Sequence, residues 1–411
     1  MFLRRCTFIF FAVLLGGLLK AGDAKPARPA PLLLISLDGF RSDYCELYPE
    51  QTPNLRRLRE GGASLRALIP AFPTNTFPNH YSIVTGLRPA RHGIINNHFF
   101  DPSTGRFFHS NQPASNREAQ WWGGEPIWIT ARRQGRASAC YFWPGSEVAI
   151  GGFRPNYWKP YDYSVPFEQR LAELIGWLKL SPEQQPAVIT FYLEETNSIG
   201  HTNGPGSAEL GQTVARLDSQ IGAILKQAAD AGIPLNLVVV SDHGMAPRRR
   251  DQVVVLDDYI DLAAVQVDFE GPVVGLRPHD GDVSALLAKL AKLPPQARAL
   301  RNEDLPKHFA MTDNPRVPPI WILADEGWRV ERRSQYDSTR DRYVKGEHGY
   351  DPMVATMQGV LIVHGPAFRT DGACIEPTEN IHIYNLLCAA AGLSPAPNDG
   401  DERLVRAFLV H

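Results

Sequence analysis

The chain has 411 residues, of which 44% are hydrophobic and 21% are charged. This composition is ordinary for a globular protein and argues against disorder, and at about 150 residues per domain it allows two or three domains. The 42 Lys and Arg residues nearly balance the 44 Asp and Glu residues, which gives a formal net charge of -2. Because no overall basic field attracts nucleic acid, duplex binding is not expected.

Residues 1–24 are predicted to be a signal peptide. Two arginines precede an apolar run, residues 7–19, that is too short for a comfortable membrane span, and Ala24 is a small residue at the expected cleavage point. An uncleaved N-terminal anchor is the alternative. We expect a periplasmic or secreted protein whose residues 25–411 form one catalytic domain, with an oligomeric state that the sequence leaves open.

Four cysteines lie beyond the predicted signal peptide, and their redox state is open. In an exported chain they can form disulfides in three connectivities that the sequence does not rank. The alternative is that some of them are small buried hydrophobic residues. The four are Cys45, Cys140, Cys374 and Cys388.

Apolar runs alternate with amphipathic segments along most of the chain. The run from Leu32 to Leu37 is continuous, which is typical of a strand buried on both faces of a parallel sheet. This alternation predicts an α/β fold with a doubly wound, mostly parallel sheet. Further strands are predicted at residues 187–193, 235–241 and 361–363, and helices at about 53–61, 207–229 and 383–391.

The segment from residue 257 to about 341 has a different pattern. It contains one candidate strand at 265–276, a helix at 283–293, and two short strands around Arg298 and Ile320. This β-α-β-β order predicts a small α+β lobe inserted into the main domain.

Polar residues follow three of the predicted strands. Asp38 follows the first strand, Asn197 follows the second, and Asp242 with His243 follows the third. A single such residue is usually a turn or helix cap. Ligands of open α/β sheets bind beyond the carboxyl ends of the strands, so three sites together favour a binding function. With His201 and His348 they form mixed carboxylate and imidazole sets that suit zinc or a similar ion, and two such sets suit a pair of ions.

Thr76, in the segment FPTNTFPNH, is the candidate nucleophile. Its position before a predicted helix also suits a helix cap, and a helix N-terminus favours a bound phosphate. A threonine hydroxyl needs a base or a metal to become a good nucleophile. Asn97 is a candidate amide donor to a phosphate oxygen, or equally a turn residue.

Several sequence blocks resemble the nucleotide pyrophosphatase/phosphodiesterase family of the alkaline phosphatase superfamily, in its bacterial form. The blocks are LISLDGF, TFPNH, SDHGM, GEHGYD and YNLLCAAAGLSPAPNDG, in this order, and the resemblance runs from Leu32 to Gly400. It implies an alkaline-phosphatase-like α/β fold with two Zn²⁺. It also implies cleavage of phosphodiester or pyrophosphate bonds through a covalent nucleotidyl-threonine, with release of a nucleoside monophosphate.

The same resemblance implies roles for individual residues. Thr76 would be the nucleophile, and Asn97 would bind a phosphate oxygen. One zinc would be held by Asp38, Asp242, His243 and, during turnover, Thr76, and the other by Asn197, His201 and His348. Four aromatic residues would line a nucleotide pocket: Phe77, Trp143, Tyr161 and Tyr192.

Asn197 departs from the family pattern, which has Asp at this position. An amide oxygen can bind a metal but carries no charge, so the affinity of that zinc site is expected to fall. A nucleotide-binding variant of low activity is therefore an alternative. A phosphodiesterase acting on lipid headgroups is another, whereas a sulfatase is disfavoured because the Cys-x-Pro-x-Arg or Ser-x-Pro-x-Arg nucleophile motif is missing from the sequence.

Overall fold

A computed structural model of the chain describes residues 28–339, 341 and 343–410. The signal peptide predicted for residues 1–24 lies outside these described residues. Within them, no helix combines the length and the apolar character needed to cross a membrane.

The described residues alternate short strands and helices. The strands are, in chain order, β1 (Leu32–Leu37), β2 (Ala63–Leu65), β3 (Leu68–Ile69), β4 (His98–Asp101), β5 (Arg106–His109), β6 (Ser138–Tyr141), β7 (Tyr157–Lys159), β8 (Val188–Leu193), β9 (Asn236–Val240), β10 (Ala246–Pro247), β11 (Val253–Val255), β12 (Val265–Phe269), β13 (Val273–Pro278), β14 (Ala297–Arg301), β15 (Ile320–Ala324), β16 (Arg329–Glu331), β17 (Gly346–Glu347), β18 (Leu361–His364), β19 (Ala373–Ile375) and β20 (Thr378–Glu379). The α-helices are α1 (Tyr44–Leu47), α2 (Pro53–Glu60), α3 (Thr76–Thr85), α4 (Pro89–His92), α5 (Pro113–Asn116), α6 (Ile127–Arg133), α7 (Phe167–Leu178), α8 (Glu195–Asn203), α9 (Ala208–Asp230), α10 (Val283–Leu290), α11 (Arg333–Thr339), α12 (Ile383–Ala390) and α13 (Arg403–Phe408).

The main sheet has eight strands in the order β19-β2-β18-β9-β1-β8-β6-β7. Strand β1 pairs in parallel with both β8 and β9, and β18 is antiparallel to both of its neighbours. The prediction of a mostly parallel α/β sheet is therefore confirmed. The first strand of the sequence lies at the centre, which is why all six of its residues are buried.

Helices cover both faces of this sheet. Leu33 and Ile35 of β1 pack into the core formed with α2, α7 and α9, whereas Leu32 and Leu34 pack into the core formed with α3, α6 and α12. Burial of each such side chain contributes roughly 1.5–3 kcal/mol, so a continuous apolar strand is stable only between two layers. The doubly wound arrangement follows from this pattern.

The segment predicted as an inserted lobe forms its own antiparallel sheet, in the order β12-β13-β15-β14, around a separate core with α10. The single strand predicted at 265–276 is wrong: the chain turns at Gly271, and two strands pair as a hairpin. Gly271 has a φ of 129°, which only glycine adopts readily, and Pro272 follows it. The two strands around Arg298 and Ile320 are confirmed, and the lobe limits at 257 and 341 stay a prediction.

All four cysteines of the described chain are free thiols. Cys140 and Cys388 are buried, as expected for small hydrophobic residues, Cys45 is partly buried and Cys374 is exposed.

Candidate active site and metal centre

The polar residues predicted to share a site come from three adjacent strands. Strands β8, β1 and β9 are neighbours and run in parallel, so their carboxyl ends meet at one edge of the sheet. Asp38 follows β1, Asn197 lies in α8 after β8, and Asp242 and His243 follow β9. The fold therefore brings together residues that are more than 200 positions apart in sequence.

Asp38, Asp242 and His243 form a buried cluster whose ligand atoms all lie within 4.8 Å of one another. The His243 Nε2 atom is 3.1 Å from Asp242 Oδ2 and 3.5 Å from Asp38 Oδ1. Within the described residues, these two carboxylate oxygens are buried and have no hydrogen-bond partner. Burying such oxygens is costly unless a cation compensates them, so the donor set fits a metal ion.

The electrostatics of the protein groups in this cluster support the same conclusion. Burial, together with the neighbouring Asp242 carboxylate, raises the pKa of Asp38 well above its usual value. Burial lowers the pKa of His243, and it lowers the pKa of His348 well below its usual value. The imidazoles are therefore neutral, which is the state in which histidine binds a metal.

Two more histidines extend the centre. The His348 ring stacks on His243 with 3.7 Å between centroids, and its centroid is 5.0 Å from that of His201. Asn197 supplies a buried Oδ1 that has no hydrogen-bond partner in the part of the chain that the structure describes. The structure thus brings Asn197, His201 and His348 next to the Asp38 cluster, as the proposed ligand sets require.

Backbone carbonyls fix the orientation of all three rings. His201 Nδ1 donates to Gly346 O at 2.8 Å, His243 Nδ1 to Gly244 O at 2.8 Å, and His348 Nδ1 to Thr74 O at 2.9 Å. Because a carbonyl only accepts, each Nδ1 must carry the proton, and each Nε2 keeps a lone pair for a ligand. Such carbonyl partners are typical of metal-binding histidines.

Thr76 is the first residue of helix α3, and its hydroxyl faces the cluster of Asp38, Asp242 and His243. The prediction that Thr76 caps this helix is wrong by one residue, because Asn75 has the extended backbone of the cap and Thr76 is the first helical residue. The Thr76 side chain is nearly buried, and its Oγ1 lies 3.2 Å from His243 Nε2. The hydroxyl therefore lies beside both the cluster and the N-terminus of a ten-residue helix.

Asn97 binds the same helix end. Its Oδ1 accepts a hydrogen bond from the Phe77 backbone N–H at 2.8 Å. The amide oxygen is thereby fixed, and the two Nδ2 hydrogens are the remaining donors of the side chain. Asn97 is thus held at the end of α3 beside Thr76, as a phosphate-binding amide would need to be.

A cleft of about 310 Å³ adjoins Thr76, and all four predicted aromatic residues line it: Phe77, Trp143, Tyr161 and Tyr192. Trp143 is buried and its indole N–H donates to His80 O at 3.1 Å, whereas Tyr161 is 47% exposed at the rim. The Tyr192 hydroxyl donates to Asp38 Oδ2 at 2.5 Å. Tyr192 therefore connects the cleft with the cluster of Asp38, Asp242 and His243.

The sequence reasoning missed several residues of the site. The cleft is also lined by Asn111, Arg117, Trp122 and Glu147, which lie in loops and gave no sequence signal. His80 could have been found, because it lies four residues after Thr76 and so on the same face of the helix. Its Nδ1 is 2.9 Å from Thr76 O and 3.2 Å from Asp242 Oδ2.

The α/β sheet, with candidate metal ligands at the ends of its parallel strands, is of the alkaline-phosphatase-like type. The chain belongs to the type I phosphodiesterase / nucleotide pyrophosphatase family, whose model matches residues 32–351. The resemblance to this family stated from the sequence is thereby confirmed.

Known relatives support this assignment. The chain is 39% identical over 384 residues to ectonucleotide pyrophosphatase/phosphodiesterase family member 1 of Mus musculus. This alignment covers 90% of the chain and 42% of the relative. It is 36% identical over 385 residues to the venom phosphodiesterase of Macrovipera lebetinus, covering 90% of this chain and 44% of the relative. The chain thus spans less than half the length of these relatives.

A solved structure extends the comparison. Murine ectonucleotide pyrophosphatase / phosphodiesterase 5, in an inactive form in complex with AMP, superposes with a TM-score of 0.86 at 33% identity. The match covers 93% of this chain and all of the other. The predicted fold is therefore confirmed by a match to the entire solved chain. The roles of individual residues stay predictions.

Proposed function

We propose that the protein is an exported nucleotide pyrophosphatase/phosphodiesterase that uses Thr76 as its nucleophile and two zinc ions as cofactors. The observation that carries the proposal is the position of the Thr76 hydroxyl. It lies 3.2 Å from His243 in a buried metal-binding cluster, at a helix N-terminus and beside an aromatic cleft.

Two ligand sets would hold the ions. Asp38, Asp242, His243 and Thr76 would form one set, and Asn197, His201 and His348 would form the second. Bound zinc would supply positive charge that stabilises the developing oxyanions of the displacement. The buried oxygens of Asp38, Asp242 and Asn197 support this arrangement, because they lack hydrogen-bond partners within the described residues.

The reaction begins at the hydroxyl of Thr76. The hydroxyl passes its proton to solvent, and Oγ1 forms a bond to phosphorus while the bond between phosphorus and the leaving oxygen breaks, so the leaving group departs with that electron pair. Asn97 donates from Nδ2 to a phosphate oxygen, and the N-terminus of α3 favours the negative charge of the phosphate. Water then attacks the phosphorus of the nucleotidyl-threonine, which releases a nucleoside monophosphate and restores the hydroxyl.

The aromatic cleft would hold the nucleoside. Phe77 and Tyr161 line it, and stacking of a base on an aromatic side chain is worth about 1–3 kcal/mol per base. The AMP complex of the murine relative supports a nucleotide as the small-molecule partner.

Substrate preference tests this proposal. We expect the nitrophenyl ester of thymidine monophosphate to be hydrolysed much faster than nitrophenyl phosphate. Thr76→Ala should lower kcat by at least about 10³-fold, because the covalent route is lost, whereas Thr76→Ser should retain turnover. Thr202→Ala, an exposed change in the neighbouring helix α8, is the matched control. Faster hydrolysis of the monoester, nitrophenyl phosphate, would contradict the diesterase assignment and would indicate a phosphatase.

Export rests on the predicted signal peptide and on the names of the relatives, which describe an ectoenzyme and a venom protein. Expression of the full chain should give a mature protein that begins near residue 25 outside the cytoplasm. N-terminal sequencing of the protein in each cell fraction tests this expectation. A protein that still begins at residue 1 and lies in the cytoplasmic fraction would refute export.

A nucleotide-binding protein of low turnover is the second candidate. Asn197 favours it, because its buried amide oxygen brings no negative charge to a site whose other proposed ligands, His201 and His348, also supply none. Metal analysis would distinguish the two: two zincs with turnover support the enzyme, and fewer than two with AMP binding but no turnover support the alternative.

A further inference from the structure

A second histidine pair lies outside the metal cluster, on the hairpin formed by β4 and β5. His98 and His109 are directly opposite each other in the antiparallel register. Their Nδ1 atoms are 2.8 Å apart, and the ring centroids are 4.3 Å apart. None of the residues assigned above to the zinc ligands or to Thr76 takes part in this pair.

The backbone places the two rings unusually close together. Ser110 N donates to Asn97 O at 2.9 Å, and His109 N donates to Ser115 Oγ at 3.0 Å. The pair of His98 and His109 is therefore the non-hydrogen-bonded type, in which opposite Cβ atoms are closest. Phe107 holds the His98 ring in a stack with 4.9 Å between centroids and 16° between planes.

The distance between the two nitrogens matches a particular metal geometry. Two metal–nitrogen bonds of about 2.0–2.1 Å at a right angle place the nitrogens about 2.9 Å apart. A tetrahedral angle would require about 3.3 Å with the same bonds. The observed 2.8 Å therefore suits neighbouring positions of a square-planar ion, a geometry typical of Cu²⁺ and Ni²⁺.

The protonation state of His98 also suits metal binding. Burial, the neighbouring His109 and Arg332 lower the pKa of His98 to about 4, so its imidazole is neutral at pH 7 and protons do not compete for it. The facing lobe presents Arg332 and Glu270, which form an ion pair at 2.7 Å. The Glu270 carboxylate offsets part of the Arg332 charge that acts on the His98 ring.

We propose that His98 and His109 form an accessory site for a divalent transition-metal ion of square-planar preference, with Cu²⁺ as the strongest binder. The two Nδ1 atoms would be neighbouring ligands, and water would fill the other positions. Copper binds nitrogen ligands most tightly among the divalent first-row metals. The site would fix the start of β4, next to Asn97, and the end of β5, next to Ser110, which lines the aromatic cleft.

Copper binding to the zinc-loaded protein tests the inference. Equilibrium dialysis should show one more Cu²⁺ bound to the wild type than to His98→Gln or His109→Gln, with affinity at least about tenfold lower in each variant. Electron paramagnetic resonance should show coupling to two imidazole nitrogens in the wild type. His279→Gln, which changes an exposed histidine of the lobe, is the matched control and should bind copper as the wild type does.

Copper that enters the zinc centre is bound equally by the wild type and the variants, so it does not contribute to the difference in copper stoichiometry between them. Zinc content and circular dichroism establish that each variant is folded and loaded. Equal copper stoichiometry and an unchanged resonance spectrum in both variants would overturn the site and would show that the rings form only an N–H···N hydrogen bond. The measurement needs no substrate, so its outcome is independent of the proposed hydrolytic function.

Discussion

The hydrogen bond from Tyr192 to Asp38 gives a quantitative test of the metal centre. Asp38 is 1% exposed and Tyr192 8% exposed, and the hydroxyl donates to Oδ2 at 2.5 Å. Tyr192→Phe keeps the ring but removes the donor, which leaves both carboxylate oxygens without a hydrogen bond from the described residues. A hydrogen bond to a charged group contributes about 1.5–3 kcal/mol. The zinc-loaded variant should lose stability of this size.

Zinc affinity should fall as well. The Tyr192 hydrogen bond lowers the pKa of Asp38, against the dominant effect of burial, which raises it. Without that bond the carboxyl holds its proton more tightly, so zinc competes less well at neutral pH. Partners of metal ligands typically contribute about 10–100-fold in metal affinity.

Competition with a chelating dye would measure the zinc affinity, and urea denaturation would measure the stability. Tyr161→Phe is the matched control, because its ring lies 6.1 Å from that of Tyr192 in the same cleft but is half exposed. It should retain both properties. If Tyr192→Phe kept zinc affinity within about twofold of the wild type, far less than such partners usually contribute, Asp38 would not be a ligand.

Three further changes test other parts of the structure. Asn197→Asp adds a charged ligand and should raise the affinity of the second zinc at least about tenfold, together with turnover; unchanged zinc content in metal analysis would contradict this. Arg316→Met breaks a partly buried ion pair with Asp101, which joins the lobe to the β4–β5 hairpin. It should lower the free energy of unfolding in urea by about 1.5–3 kcal/mol, the usual contribution of a hydrogen bond to a charged group. A change within about 0.5 kcal/mol, typical of surface sites, would contradict this. Burial lowers the pKa of His92 to about 3 in the folded protein. Below about pH 6.5 the imidazole of His92 is therefore protonated in the unfolded chain but not in the folded one, so stability falls as pH falls. His92→Gln should make this fall less steep by about 1.4 kcal/mol per pH unit; equal slopes in urea titrations would refute it.

The sequence by itself determined the central sheet and the location of the site. Strands β1, β8 and β9 are continuous apolar runs, and such runs are stable only between two helical layers. The polar residues that follow them could be assigned to one edge because parallel strands end at the same side of a sheet. The family resemblance then specified Thr76 and the ligand sets.

Local patterns did not determine how the lobe folds. Residues 265–276 have enough apolar character for one strand, and the turn at Gly271 became evident only from the antiparallel pairing of β12 with β13. The helix start was also misplaced by one residue. Asn75 and Thr76 are both good caps, and contacts with other parts of the chain decide between them.

Only the tertiary structure decided which side chains contact one another. The bond from Tyr192 to Asp38 joins residues 154 positions apart, and the cleft adds Arg117 and Glu147 from separate loops. The close approach of His98 and His109 depends on the register of one hairpin, since a shift of one residue would move the rings to opposite faces. Periodicity in sequence determines which residues are buried, but the pairing of distant surfaces determines what each polar group meets there.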